Sequence, residues 1–232
     1  MRIHSLLLLA LATVHPANAS TSAAVLPVQI VRGGATTTGT CALIHREDRA
    51  GGIRLYFVTA GGLFRTADGL RLAAETAITV GSGVDMVRVD WNDVVLSATP
   101  VVDVALLRVV VARTNLVPGP IGFDPPSPPG AFVVSGFAGG QPTDRQQRTR
   151  FVSTVLVVGD RDLSGLDGCL GSAASADGSM FGVVTGCEPR KAPIITLFRA
   201  AAAFLERVVP GLRSPRMTTA DRRNTFAWSS AP

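Results

Sequence analysis

The chain has 232 residues, 47% hydrophobic and 17% charged, with 24 Gly, 15 Pro and 6% aromatic residues. That composition excludes wholesale disorder and is long enough for one domain with its own core, or for two small ones. The net charge of +5 sits at the ends: Arg2 and a surplus of three over the last twenty residues leave +1 for residues 3–212. A near-neutral body with two Trp and one Tyr has neither a duplex-tracking basic stripe nor a stacking platform, so no nucleic-acid partner is expected. No apolar run is long enough to span a membrane as a helix.

In chain order, residues 1–19 read as a secretory signal: Arg2 as a basic start, the apolar run 6–14, and Ala17-Asn18-Ala19 as a small-residue cleavage site. The mature chain would begin at Ser20, in the periplasm or outside the cell, and would keep His45 as its single histidine. From residue 28 to 186 short β-branched and apolar runs alternate with Gly, Pro, Asp and Asn, as in an antiparallel β protein. Strands are predicted at 28–31, 40–44, 54–59, 77–80, 85–90, 103–111, 131–136, 151–158 and 181–186, with 45–52 as a turn. The nearly continuous apolar run at 103–111 predicts a strand covered on both faces, and the Pro-rich stretch 118–129 a surface crossing. Ile195, Leu197, Phe198, Ala202, Phe204, Leu205, Val208 and Val209 recur at helical spacing until Pro210-Gly211, which predicts one closing helix. Residues 213–232 show no apolar period and are expected to form a flexible basic tail.

Three patterns occur in one order. Thr59-Ala60-Gly61-Gly62 follows a strand, Asp103-Val104-Ala105-Leu106-Leu107 opens another, and Gly168-Cys169-Leu170-Gly171-Ser172 precedes Asp177-Gly178-Ser179-Met180-Phe181-Gly182-Val183-Val184. Together they resemble the T-A-G-H turn, the D-x-A-L-L strand and the G-D-S-G loop of the trypsin-like (chymotrypsin-fold) serine proteases, particularly compact secreted bacterial members. The likeness runs over residues 28–211. It implies an all-β fold of two packed antiparallel β-barrels with a C-terminal α-helix, in one unit covering 20–212.

The resemblance fails at the reacting atoms. Acyl transfer in this family needs a hydroxyl nucleophile, an imidazole base and an orienting carboxylate. Gly62 stands at the base position and Leu170 at the nucleophile position, so only Asp103 matches. Without its imidazole Asp103 is read as a structural residue bonding turn amides. Gly168 and Leu170 match the backbone donors of the oxyanion hole, which is expected to be distorted or unused. His45, seventeen positions before Gly62, is expected in a solvated turn away from the site.

Of the three cysteines, Cys41 lies in an apolar strand and reads as a small buried hydrophobe. The resemblance places the Cys169 and Cys187 loops side by side and implies a disulfide between them, and it puts Cys169 where the family keeps an Asp that pairs with a newly cut amino terminus. No His-x-x-His, Cys-x-x-Cys or paired-carboxylate spacing marks a metal site, and no cofactor is expected. These residues imply an exported, monomeric, non-catalytic protein that binds a protein or an extended peptide, or regulates an active relative. Two other readings stay open: a serine- or cysteine-type endopeptidase working through Cys169, and an envelope-associated structural protein whose Arg-rich tail touches anionic polymers.

Overall fold

Paired glycines make the first turn. Strand β1 (Val25–Arg32) ends at Gly33-Gly34, whose φ values of +54° and +83° suit a tight hairpin, and the chain returns as β2 (Ala35–Arg49). A computed structural model describes residues 25–212 apart from 67, 74–75, 82–85, 100, 128–129 and 189–191. The expected leader and basic tail therefore lie outside the described residues.

β2 pairs with β3 (Gly52–Ala60), and β1 with β4 (Ala77–Val80), which carries β5 (Val87–Val89). β6 (Val94–Leu96) and β7 (Val104–Val111) complete a seven-stranded antiparallel sheet in the order β5-β4-β1-β2-β3-β7-β6. The run predicted to be covered on both faces is so over residues 104–107, while Val110, further along, is exposed. Ala105, Leu107 and Val109 point into the sheet's own core, while Val104 and Leu106 pack on Phe198, Phe204 and Leu205 behind it.

The Pro-rich connection stitches the halves together. Gly119 N–H donates to the Leu43 carbonyl (3.1 Å), Met180 N–H to Pro120 (2.9 Å) and Gly122 N–H to Met180 (2.7 Å). The second sheet holds β8 (Ala131–Ala138), β9 (Gln141–Arg148), β10 (Phe151–Val152), β11 (Leu156–Val158), β12 (Ala173–Ala176), β13 (Ser179–Cys187) and β14 (Pro193–Leu197). Its order is β10-β11-β14-β13-β12-β8-β9, again antiparallel. Helix α1 (Ala202–Val208) closes the fold by burying Phe204 and Leu205 between the sheets.

Several expectations are corrected. The closing helix begins at Ala202, because residues 193–197 form strand β14 and only the later part of the periodic stretch coils. The run 151–158 is two strands: Ser153 Oγ accepts from the N–H groups of Val155 (3.2 Å) and Leu156 (3.0 Å), turning the chain between β10 and β11. His45 lies inside β2, after a bulge at Leu43/His45, and not in a turn. Strand β5 is shorter than 85–90. Strands β6, β9 and β12 were not anticipated. Among the described residues no helix is long and apolar enough to cross a membrane.

Candidate functional site at the seam of the two sheets

At the end of β3 the chain enters a short 3-10 turn, Gly61–Phe64, against the start of β7. Gly61 N–H donates to the Asp103 carbonyl (3.0 Å) and Gly62 N–H to Asp103 Oδ2 (3.0 Å). The carboxylate fills the space a side chain would need: a β-carbon on Gly61 would lie 2.6 Å from Oδ1, and one on Gly62 3.1 Å from Oδ2. Arg65 Nε stands 4.0 Å from Oδ1, while its guanidinium also donates to the carbonyls of Ser97 (3.0 Å) and Gly69 (3.2 Å). Burial raises the Asp103 carboxyl above its ordinary value, and the Gly62 N–H and Arg65 pull the other way without cancelling it.

The loop 168–172 is pressed onto β2 from the second sheet. Gly168 and Gly171 have φ of +62° and +85°, and β-carbons on them would lie 2.5 Å from the Thr38 carbonyl and 1.9 Å from the Thr40 carbonyl. Both close approach and backbone conformation demand glycine there. Thr40 clamps the loop, donating from N–H to the Leu170 carbonyl (2.8 Å) and from Oγ1 to the Gly168 carbonyl (3.2 Å). Thr59 Oγ1 donates to the Thr40 carbonyl (2.6 Å), buried. The three motifs are thus brought together: Thr59 precedes the Gly61-Gly62 turn, and Thr40 bonds both Thr59 and the loop. Leu63 and the Leu170 carbonyl both abut Gly39.

The half-buried Leu170 side chain packs against the apolar core of the first sheet. Among the described residues, the N–H groups of Gly168 and Leu170 have no acceptor. They remain two backbone donors beside an apolar side chain. Cys169 and Cys187 are side by side, their sulfurs 3.6 Å apart and unbonded. Burial, and then the neighbouring Cys169, push the Cys187 thiol up to about 12. Cys41 is fully buried, which pushes its thiol up as well.

His45 is not brought to the seam. Its ring packs on Tyr56 (5.4 Å between centroids), whose hydroxyl donates to Glu47 (3.1 Å). Tyr56 is four residues before Ala60 on β3, about 13 Å along the strand. No cluster of metal-ligating side chains occurs among the described residues. The sequence reading missed Arg65 and Thr40. Neither belongs to the three motifs, and their roles follow only from the packing of the two sheets.

No protein-family model and no curated sequence matches the chain. Solved structures do. Rv3671c protease from M. tuberculosis in its active form superposes with TM-score 0.61 at 19% identity, over 85% of each chain. Scabies mite inactivated protease paralogue S-I1 gives 0.59 at 14% identity, over 81% of this chain and 95% of that one. Human heparin binding protein gives 0.56 at 15% identity, over 82% and 93%. With two antiparallel sheets, a closing helix and these superpositions, the chain has the chymotrypsin fold of the trypsin-like serine proteases.

Proposed function

We propose that the chain is an exported, catalytically inactive trypsin-like protein that binds an extended peptide or a protein at the seam of its two sheets. The observation that carries this reading is the environment of Asp103. Its carboxylate is bonded by the Gly62 backbone N–H, from a residue with no side chain to act as base. Across the seam Leu170 offers carbon where an attacking hydroxyl would have to stand, and its side chain is engaged in packing. A carboxylate beside an arginine cannot alone generate a nucleophile. Among the structural neighbours, one is an inactivated protease paralogue and another is named for binding heparin, which supports a non-catalytic role for the scaffold.

The same reading pairs Cys169 with Cys187 as a disulfide once the chain reaches an oxidising compartment. It also argues against Cys169 as a nucleophile. The one described histidine is on another part of β2, so no imidazole is available to make a thiolate.

The test uses the purified mature protein, its Cys169→Ala variant and a panel of fluorogenic peptides, read both for hydrolysis and for binding by fluorescence anisotropy, alongside a serine-hydrolase probe. The expected result is no turnover, no labelling and saturable binding of a subset of peptides. Turnover abolished by Cys169→Ala would make the protein a cysteine-type peptidase. Neither turnover nor binding would leave the envelope-associated structural reading.

A further inference from the structure

The first sheet does not close over its own interior. At the end of β3 and β7 remote from Asp103 a cavity of about 770 Å³ opens, within the size range of small-molecule sites. Its floor is core: Leu55, Phe57, Val80 and Val109 are each no more than 3% exposed, yet all line it. Protein interiors are close-packed and seldom hold voids much larger than a water molecule, so space of this size bordered by such side chains is a feature of the fold.

The mouth has a different chemistry. Arg113, Thr114 and Asn115 form one side of it, and among the described residues that line the cavity Arg113 is the one that carries a charge. Among the described residues Arg113 has no acceptor and no ion-pair partner. The segment that carries it is pinned: Arg46 Nη1 donates to the Thr114 carbonyl (3.2 Å) and Leu116 N–H to Thr114 Oγ1 (3.1 Å). The half-exposed Met86 lies at the same opening, an apolar side chain able to adapt to what enters.

We propose that this cavity is a binding site for an amphipathic carboxylate, an aliphatic chain of about eight to twelve carbons lying over Leu55, Phe57, Val80 and Val109 with its carboxylate at Arg113. The apolar floor fixes the tail and the Arg113 guanidinium fixes the sign of the head, since a guanidinium donates in pairs to a carboxylate. Val111, at the mouth, is eight residues from Asp103, about 26 Å along β7, so the site is independent of the seam and of its function.

The experiment is isothermal titration of the mature full chain at low salt with octanoate, 1-octanol and octyltrimethylammonium, each below its micelle concentration. Octanoate binds at one site about fivefold or more tighter than octanol, and octyltrimethylammonium does not saturate. Arg113→Ala lowers octanoate to the affinity of octanol, and Leu116→Trp, which fills the mouth from a half-buried rim position, removes both. Circular dichroism checks that each variant is folded. A nitroxide-labelled fatty acid that selectively broadens the Met86 methyl resonance in the unaltered protein locates the ligand even if Leu116→Trp fails to fold. Absence of saturable binding, equal affinity for all three probes, indifference to Arg113→Ala, or broadening elsewhere would each overturn the proposal.

Discussion

The two sheets have the same number of strands and the same antiparallel pairing, yet their interiors are filled differently. In the second, Phe132 and Phe181 meet edge to face at 5.6 Å, and Leu163 and Leu166, from the connection between β11 and β12, are buried in that core. In the first, Leu63, Phe64 and Leu72, from the connection between β3 and β4, are buried in the core as well, yet Leu55, Phe57, Val80 and Val109 still line the cavity. Strand number and register therefore do not decide whether such a sheet is solid. Nor does an inward-folding connection by itself, since both sheets have one.

The comparison breaks most severely where the halves lock together. Gly171→Val places a branched side chain on a residue at φ +85° whose β-carbon would already meet the Thr40 carbonyl and Thr59 Oγ1. It should cost more than about 4 kcal/mol and leave no cooperative urea transition. Phe181→Ala and Phe57→Ala then measure the difference between the cores directly. The first should lie near about 5 kcal/mol and the second near about 3, because a ring bordering existing space gives up fewer contacts. Equal costs in urea titrations would mean that the first sheet is as tightly filled as the second.

Linking Cys169 to Cys187 should stabilise the second sheet's loop by about 3 kcal/mol in the chain-entropy account. Alkylation of the denatured, non-reduced protein should then label Cys41 alone, and three labels would refute the bond. The smallest effect concerns Asp103. Its folded-state affinity for a proton exceeds that of the unfolded chain, so its ionisation costs stability as pH rises from about 4. Asp103→Asn escapes that cost. The stability of the variant relative to the parent should increase from pH 4 upward and level off once the folded-state carboxyl is fully ionised, as read from melting curves across pH.

The strands with apolar alternation or apolar runs were legible from residue order, β7 most clearly, because burial is what apolar patterning reports; its exposed Val110 shows where the pattern overstates it. β9 was not, since it is an edge strand of Gln, Thr, Asp and Arg with only Gln147 buried. The closing helix was overextended at its start because Ile195, Leu197 and Phe198 are buried as part of a strand and a turn, and over so few residues they match a helical period as well. At the seam, residue order supplied Gly62, Asp103 and the 168–172 loop through family likeness. It could not supply Arg65 or the Thr40 clamp, whose partners lie up to 130 positions away. Nor could it supply the cavity, which exists only where side chains of several strands fail to meet.

Val25, where the described chain begins, and Leu212, where it ends, pack against the same cluster around Phe198, Phe204 and Leu205. One apolar cluster thus anchors both the first strand and the segment after the closing helix. A circular permutant that joins residues 25 and 212 through a flexible linker and reopens the chain at Gly139-Gly140, an exposed hairpin tip, should keep both sheets and unfold in one transition. The order in which the two halves leave the ribosome could then be exchanged while the seam that joins them stays the same.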